Sequence, residues 1–283
     1  MNGHESDTSA GTGGGRRGVQ SIDRAVSILR CFDERHVELG ISDIARMTGL
    51  STSTTHRLLG AMHDNRLVRQ TSDRRYALGP LLVQLARSGA VPTTLRDAAL
   101  PAMTSLRDNV DETVGLHALL PSHERAVIEQ VESRQPLRRT YTEFGVPIPL
   151  ALGAPGKVML AHLPWDLQDA LLARPIPQVT PTTPTDPEVM RRQLAEIRTR
   201  NYALSYAERT AGIRTIASAI FDGSYSCVAS LSISAPAVRM PDERMQELGP
   251  VVAATSWVIS EALGATRDGV NRRMLMAQPP PGV

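Results

Sequence analysis

From Ser51 to Arg57 the chain reads Ser-Thr-Ser-Thr-Thr-His-Arg, a run of hydrogen-bonding side chains with no large apolar residue among them. Such groups suit the reading of a nucleic-acid duplex. A guanidinium such as that of Arg57 can pair bidentately with a guanine edge, and His56 can donate to a base or a phosphate. The hydroxyls of Ser51, Thr52, Ser53 and Thr55 can serve either, and side chains this short let a backbone come close to a groove. Arg69, Arg74 and Arg75 follow around a polar tip, Thr71-Ser72-Asp73-Arg74, where guanidinium groups can neutralise phosphates or enter a minor groove. Arg24 is a further contact candidate upstream. The alternative reading of these arginines is a solvated hairpin.

The surrounding residues supply the elements that would hold these groups. Ile41, Ile44 and Ala45 give a short helix one apolar face, and Gly49 provides a left-handed terminator followed by Leu50 as a plug. Ser51 and Thr52 are N-cap types for a second helix, on which Leu58, Leu59 and Met62 recur at helical spacing. After Asn65 the period changes to two. Arg66–Gln70 and Arg75–Leu78 read as short strands of a wing. Upstream, Ile22, Val26 and Leu29 trace one face of a first helix running from Ser21 to about Asp33, which completes a three-helix core.

With 283 residues, 41% of them hydrophobic, the chain can bury two cores. Its net charge of +2 hides a polarity. Residues 16–87 carry 12 Arg against 7 acidic residues, whereas residues 88–283 carry 19 basic against 20 acidic. The basic excess therefore accompanies the helix-turn-helix pattern. No apolar run reaches the length of a membrane span, and the Gly- and Ser-rich start lacks a signal-peptide core, so a cytoplasmic protein with no membrane partner is expected. Cys31 and Cys227 fall in separate halves and read as buried small apolar residues. No Cys or His cluster has zinc-ligand spacing, and neither a metal nor a cofactor is expected.

The expected organisation is an unpacked tail over 1–18, a winged helix-turn-helix over 19–79, a linker helix over 80–92, a second domain over 93–266 and an unpacked tail over 267–283. The linker, Pro-Leu-Leu-Val-Gln-Leu-Ala-Arg, carries more apolar residues than one packing face needs, which points to a dimer. In the second domain, helices are expected at 95–109, 157–162, 164–172, 187–200 and 241–263. Strands are expected at 113–120, 125–131, 137–141, 203–206, 213–221 and 227–233. Hairpin strands with grouped helices make an antiparallel sheet, and the fold class α+β. In Val228–Ser234 the alternation places Ser230, Ser232 and Ser234 on one face, with Ser230 read as solvated. The helix opening near Pro155-Gly156 offers N–H groups to a carboxylate, and Lys157, the sole lysine, is read as a structural partner.

Enzyme readings lack their residues. In Gly-Ala-Pro-Gly-Lys-Val a phosphate-binding loop would need Gly at Ala151 and Ser or Thr at Val158. There is no Gly-x-Ser-x-Gly elbow. A Cys227–His117 nucleophile pair is conceivable, but an unreactive strand cysteine is the simpler reading.

Several separated segments together resemble the isocitrate-lyase-regulator (IclR) family of bacterial transcription factors: SIDRAVSILRCF, IARMTGLSTSTTHRLL, RRYALGPLL, GAPGKVMLA, RNYALSYAERTAGIRTIASAIFD and VASLSISAP. The resemblance covers nearly all of residues 21–263. It implies a winged helix-turn-helix joined to an effector domain of GAF-like fold, acting as a homodimer or tetramer on double-stranded operator DNA. It further implies a small-molecule effector site formed by Leu137, Thr140, Ile148, Ala154, Pro155, Gly156, Ser205, Ile213, Thr215, Ser232 and Ser234. The chain departs from the family at Ser51 and Thr52, where relatives often place a proline and a basic residue, and at Ser205, where some carry an acid. The expected function is a repressor modulated by a small organic acid. An activator is the alternative, and an enzyme with an appended DNA-binding domain is a more remote one.

Overall fold

The computed structural model describes residues 20–33, 36–87 and 94–276. The tail expected over 1–18, the end of the linker and the last seven residues lie outside the described residues. The chain folds as two units, Met1–Val91 and Pro92–Val283.

In the N-terminal unit, α1 (Gln20–Leu29), α2 (Ile41–Thr48) and α3 (Thr52–Asp64) pack around Ile28, Ile44, Leu59 and Met62. Gly49 ends α2 at φ 69°, and its N–H reaches the carbonyl of Ala45, so the left-handed residue turns the chain directly into α3. Strands β1 (Val68–Gln70) and β2 (Tyr76–Leu78) pair antiparallel, Arg69 opposite Ala77. Leu39 bridges Tyr76 through two backbone hydrogen bonds of 2.9 and 2.8 Å, which ties the wing to the chain entering α2. At the wing's exit a Cβ on Gly79 would lie 2.2 Å from the Arg66 carbonyl oxygen, so only glycine fits before α4 (Pro80–Arg87).

The C-terminal unit is a six-stranded antiparallel sheet in the order β5-β4-β3-β8-β7-β6. Its strands are β3 (Thr113–Leu119), β4 (Glu124–Val131), β5 (Ile148–Pro149), β6 (Ala203–Tyr206), β7 (Ile213–Phe221) and β8 (Cys227–Pro236). Helices α5 (Leu95–Val110) and α9 (Asp242–Ala262) cover one face, over Val114, Leu116, Ile216, Ile220, Leu231 and Ile233. On the other face lie α6 (Gly153–Ala161) and α8 (Pro187–Arg200), over Ala217, Ala219 and Cys227; α7 (Trp165–Leu172) joins this layer through Leu172. The sheet is therefore sandwiched, and the α+β architecture is the one expected.

Three local expectations are corrected. Residues 137–141 form no strand. Their backbone is held by side chains instead: Gln130 donates to the Tyr141 carbonyl and accepts from the Tyr141 N–H, and Thr113 donates to the Arg139 carbonyl. Helix α6 begins at Gly153, four residues before the expected start, because Leu152 rather than the Pro-Gly step is its cap residue. The stretch from Arg267, expected to be unpacked, forms α10 (Arg267–Met276). Val270 and Met274 pack on the α6–α8 side, and the ring of Tyr225 occupies the space that a side chain at Gly269 would fill. Two inward residues suffice, and the polar sequence around them hides the pattern.

Replacing Gly79 with Ala should destabilise the N-terminal unit by about 1–3 kcal/mol. Amide hydrogen exchange across α1–α3 should accelerate while exchange across the six-stranded sheet stays unchanged.

Candidate nucleic-acid interface and ligand cavity

Helix α3 is capped by Ser51, whose Oγ accepts from the Thr54 N–H at 3.2 Å and also engages the hydroxyls of Ser53 and Thr54. Ser51 is thus committed to capping, as its side-chain type favours. Thr52, Ser53, His56 and Arg57 are exposed along one side. Among the described residues neither His56 nor Arg57 has a carboxylate partner. Thr55 is corrected: it is fully buried, and its hydroxyl donates to the Ser51 carbonyl at 3.0 Å. The reason is helical spacing, since Thr55, Leu59 and Met62 fall on one stripe and all three are buried.

On the wing, Arg69 and Arg74 are exposed, and Arg74 turns the hairpin tip with φ 57°. Arg75 donates to the Glu38 carbonyl at 2.8 Å, so it braces the wing. Arg24 is half-buried on α1.

The C-terminal unit holds a small cavity of about 30 Å³ between the sheet and the start of α6. Ala154, Pro155, Ser205, Ile213, Thr215 and Ser234 line it, all of them sequence candidates. Ser232 lies beside it, bonded to the lining residue His117. Four other candidates fall elsewhere. Leu137 is 64% exposed, with its carbonyl held by Arg239, and Gly156 is buried where a Cβ would meet the Leu150 carbonyl at 2.2 Å. Thr140 is half-buried between two lining residues, and Ile148 faces a neighbouring groove. Ser230, read as solvated, is fully buried and donates to the Pro155 carbonyl at 3.1 Å.

The charged part of the lining was not found from sequence. Arg125, Arg139 and Arg209 line the cavity together with His117 and Tyr141, and among the described residues no acidic one lines it. Arg125 is 2% exposed; it donates to Nδ1 of His117 at 3.0 Å and to the Leu152 carbonyl at 3.1 Å, and its Nε–H has no acceptor. Because a guanidinium only donates, Nδ1 must accept, and the proton of neutral His117 sits on Nε2, which donates to Ser232 Oγ at 2.9 Å. Tyr141 OH bonds Ser234 Oγ at 2.8 Å, and Ser234 meets Thr215 Oγ1 at 2.9 Å. A continuous hydroxyl–imidazole–guanidinium network results. Burial, then the charge of Arg209, pushes the Arg125 pKa down to about 9, leaving it cationic at neutral pH. Burial, then Arg125, holds His117 well below its usual 6.5. A period-two reading of β3 carries the signal for this residue, since Gly115 and His117 pair with Ser232 and Ser230 and share the serine face.

Lys157 is a buried ion-pair partner. It donates to Glu208 at 2.6 Å and to Gln193 at 3.0 Å. Cys227 is buried, and desolvation raises its thiol to about 12, which removes the thiolate a nucleophile would need.

Residues 21–72 match the model of the IclR helix-turn-helix domain, and residues 90–261 match that described as bacterial transcriptional regulator IclR C-terminal. The acetate operon repressor of Salmonella typhimurium is 32% identical over 252 residues, spanning 88% of this chain and 92% of the relative. Thermotoga maritima IclR superposes with a TM-score of 0.58 at 27% identity, over 88% of this chain and all of that one. An IclR homolog from Microbacterium hydrocarbonoxydans, complexed with 4-hydroxybenzoate, gives 0.54 at 26% identity, over 87% of this chain and all of that one.

Two histidines make stability sensitive to acid. Burial lowers His162 to about 4, and His117 is lowered likewise. Below about pH 6.5 the unfolded chain therefore binds protons that the folded chain refuses. This part of the stability is complete above that pH and is lost as pH falls, by up to about 1.4 kcal/mol per pH unit for each histidine. Urea unfolding across that range should show the fall, and a shallower one in His162→Asn.

Proposed function

The chain belongs to the IclR family of bacterial transcriptional regulators, and on that premise we propose that it is an operator-binding repressor released or retained by a small anionic metabolite. The observation that carries the DNA-binding part is the division of α3. Thr55, Leu59 and Met62 anchor one side in the core, while Thr52, Ser53, His56 and Arg57 are exposed on the other. A helix anchored this way, followed by a basic wing, has the build that major-groove insertion with flanking phosphate contacts requires. Thr52, Ser53, His56 and Arg57 are the base-reading set, with Arg69 and Arg74 on phosphate, and Ser51 and Arg75 support them. Arg24, half-buried on α1, is kept as a phosphate contact.

The working unit is a homodimer. Helix α4 leaves Val83 more than half exposed on an apolar segment, and a two-fold partner would cover it and supply a second reading helix. Acting on the chromosome, the protein works in the cytoplasm. Among the described residues no single helix is long and apolar enough to cross a membrane.

The effector is an anion because the cavity presents guanidinium, hydroxyl and imidazole donors and, among the described residues, no acid. The relative complexed with 4-hydroxybenzoate, itself an aromatic acid, is consistent with this polarity. Binding would shift the population of dimer geometries and with it the spacing of the two reading helices. Repression is the sign favoured by the acetate operon repressor.

Sequencing DNA recovered with the protein supplies the operator. On it, Arg57→Ala should weaken specific binding by about 1–3 kcal/mol, whereas Thr55→Val should leave sequence preference unchanged. Unaltered operator affinity in Arg57→Ala would remove Arg57 from the base-reading set. A reporter that falls rather than rises when the gene is deleted would make the protein an activator.

A further inference from the structure

The number and placement of the arginines say more about the ligand than its sign. Arg125, Arg139 and Arg209 converge on one cavity, and the charges of Arg209 and Arg139 both bear unfavourably on Arg125. A carboxylate pairs with Arg209 at the rim. Glu143, 57% exposed, accepts from Arg209 Nη2 at 2.6 Å. Arg139, Arg209 and Thr210 line both the inner cavity and a more open groove of about 490 Å³, whose wall also includes Glu143, Val146, Ile148 and Val179. The two spaces are therefore adjacent across Arg139, Arg209 and Thr210, and the Arg209–Glu143 ion pair stands at this shared boundary, the neck.

The inner cavity, at about 30 Å³, has room for roughly two water-sized atoms, which is the size of a carboxylate's two oxygens and not of a whole metabolite. An occupant held there must project toward the neck, where two further guanidiniums wait. Resting on the reading that this cavity takes the effector, we propose that the ligand is a short dicarboxylate. One carboxylate takes the orphaned Nε–H of Arg125, and the other displaces Glu143 from Arg209 beside Arg139. A monocarboxylate satisfies Arg125 and leaves the neck pair unchanged. A dianion compensates both charged positions, and charge-assisted guanidinium pairs are the strongest hydrogen bonds available to it.

The exchange makes Glu143 an internal competitor. Its loss should help the ligand, whereas loss of Arg209 should remove the preference for a second charge. The test is calorimetric titration of the full-length protein with malonate, succinate and glutarate against propionate, butyrate and valerate, with operator release measured on the same samples. The tightest dicarboxylate should bind at least about tenfold more strongly than its monocarboxylate counterpart. That ratio should fall below about threefold in Arg209→Gln, and Glu143→Gln should tighten dicarboxylate binding. Both substitutions are at the partly exposed rim, and an unchanged melting temperature of the free protein verifies that they fold.

Equal affinity for the two series overturns the dianion, as does failure of all three dicarboxylates to bind. Selective dicarboxylate binding with no change in operator affinity would instead keep the dianion and overturn the effector role. Monocarboxylates that bind equally and release the operator would keep the effector role and overturn the dianion.

Discussion

A guanidinium sealed from water without a carboxylate beside it is the interaction around which the C-terminal unit is arranged. Arg125 has two acceptors, the His117 imidazole for Nη1 and the Leu152 carbonyl for Nη2, and its Nε has none. A buried cation left in this state costs free energy, and a folded protein keeps such a group only where its surroundings hold it in place. Here they do so from several directions. The hairpin of β3 and β4 carries both Arg125 and His117, β8 backs them with serines, and the cap residue of α6 supplies the Leu152 carbonyl. The same cation fixes the tautomer of His117 and hence the direction of the hydroxyl chain beyond it.

The sheet makes this arrangement possible because its two faces are chemically different. On β8 the residues Ala229, Leu231, Ile233 and Ala235 enter the apolar layer under α5 and α9, and the three serines between them face α6. Helix α6 is buried on every side, which brings its backbone into hydrogen-bond reach of Ser230. A second buried charge secures the loop that carries Arg209. Lys157 on α6 pairs with Glu208, while Thr180 and Thr183 donate to the Glu208 carbonyl. Removing either partner of that pair would leave an unpaired buried ion, which is far costlier than losing a surface salt bridge. The rim arginine is thus attached to a rigid support through its chain neighbour, and its own side chain remains partly exposed beside Glu143.

Much of this was legible in the sequence where period and cap chemistry coincide. Gly49, Ser51 and the Leu59–Met62 stripe define the two helices of the reading unit, and the serine alternation in β8 marks a polar sheet face. Reading failed where a side chain replaced a backbone partner. Residues 137–141 look like a strand, but Gln130 and Thr113 satisfy their backbone groups. The polarity of Thr55 suggests an outward position, although its place on the helix stripe sends it inward, where its hydroxyl returns to its own helix. The arginines of the cavity were invisible for a different reason. Each is separated in sequence from the others, and a lone arginine in a strand or loop carries no mark of the company it keeps.

If Arg125 is an anion anchor, a crystal structure of the protein grown with succinate will show a carboxylate oxygen within hydrogen-bond distance of Arg125 Nε, with Glu143 no longer on Arg209. Succinate bound elsewhere while Arg125 Nε stays without an acceptor, or Arg125 met by an acidic side chain of the protein itself, would make Arg125 a structural ion instead.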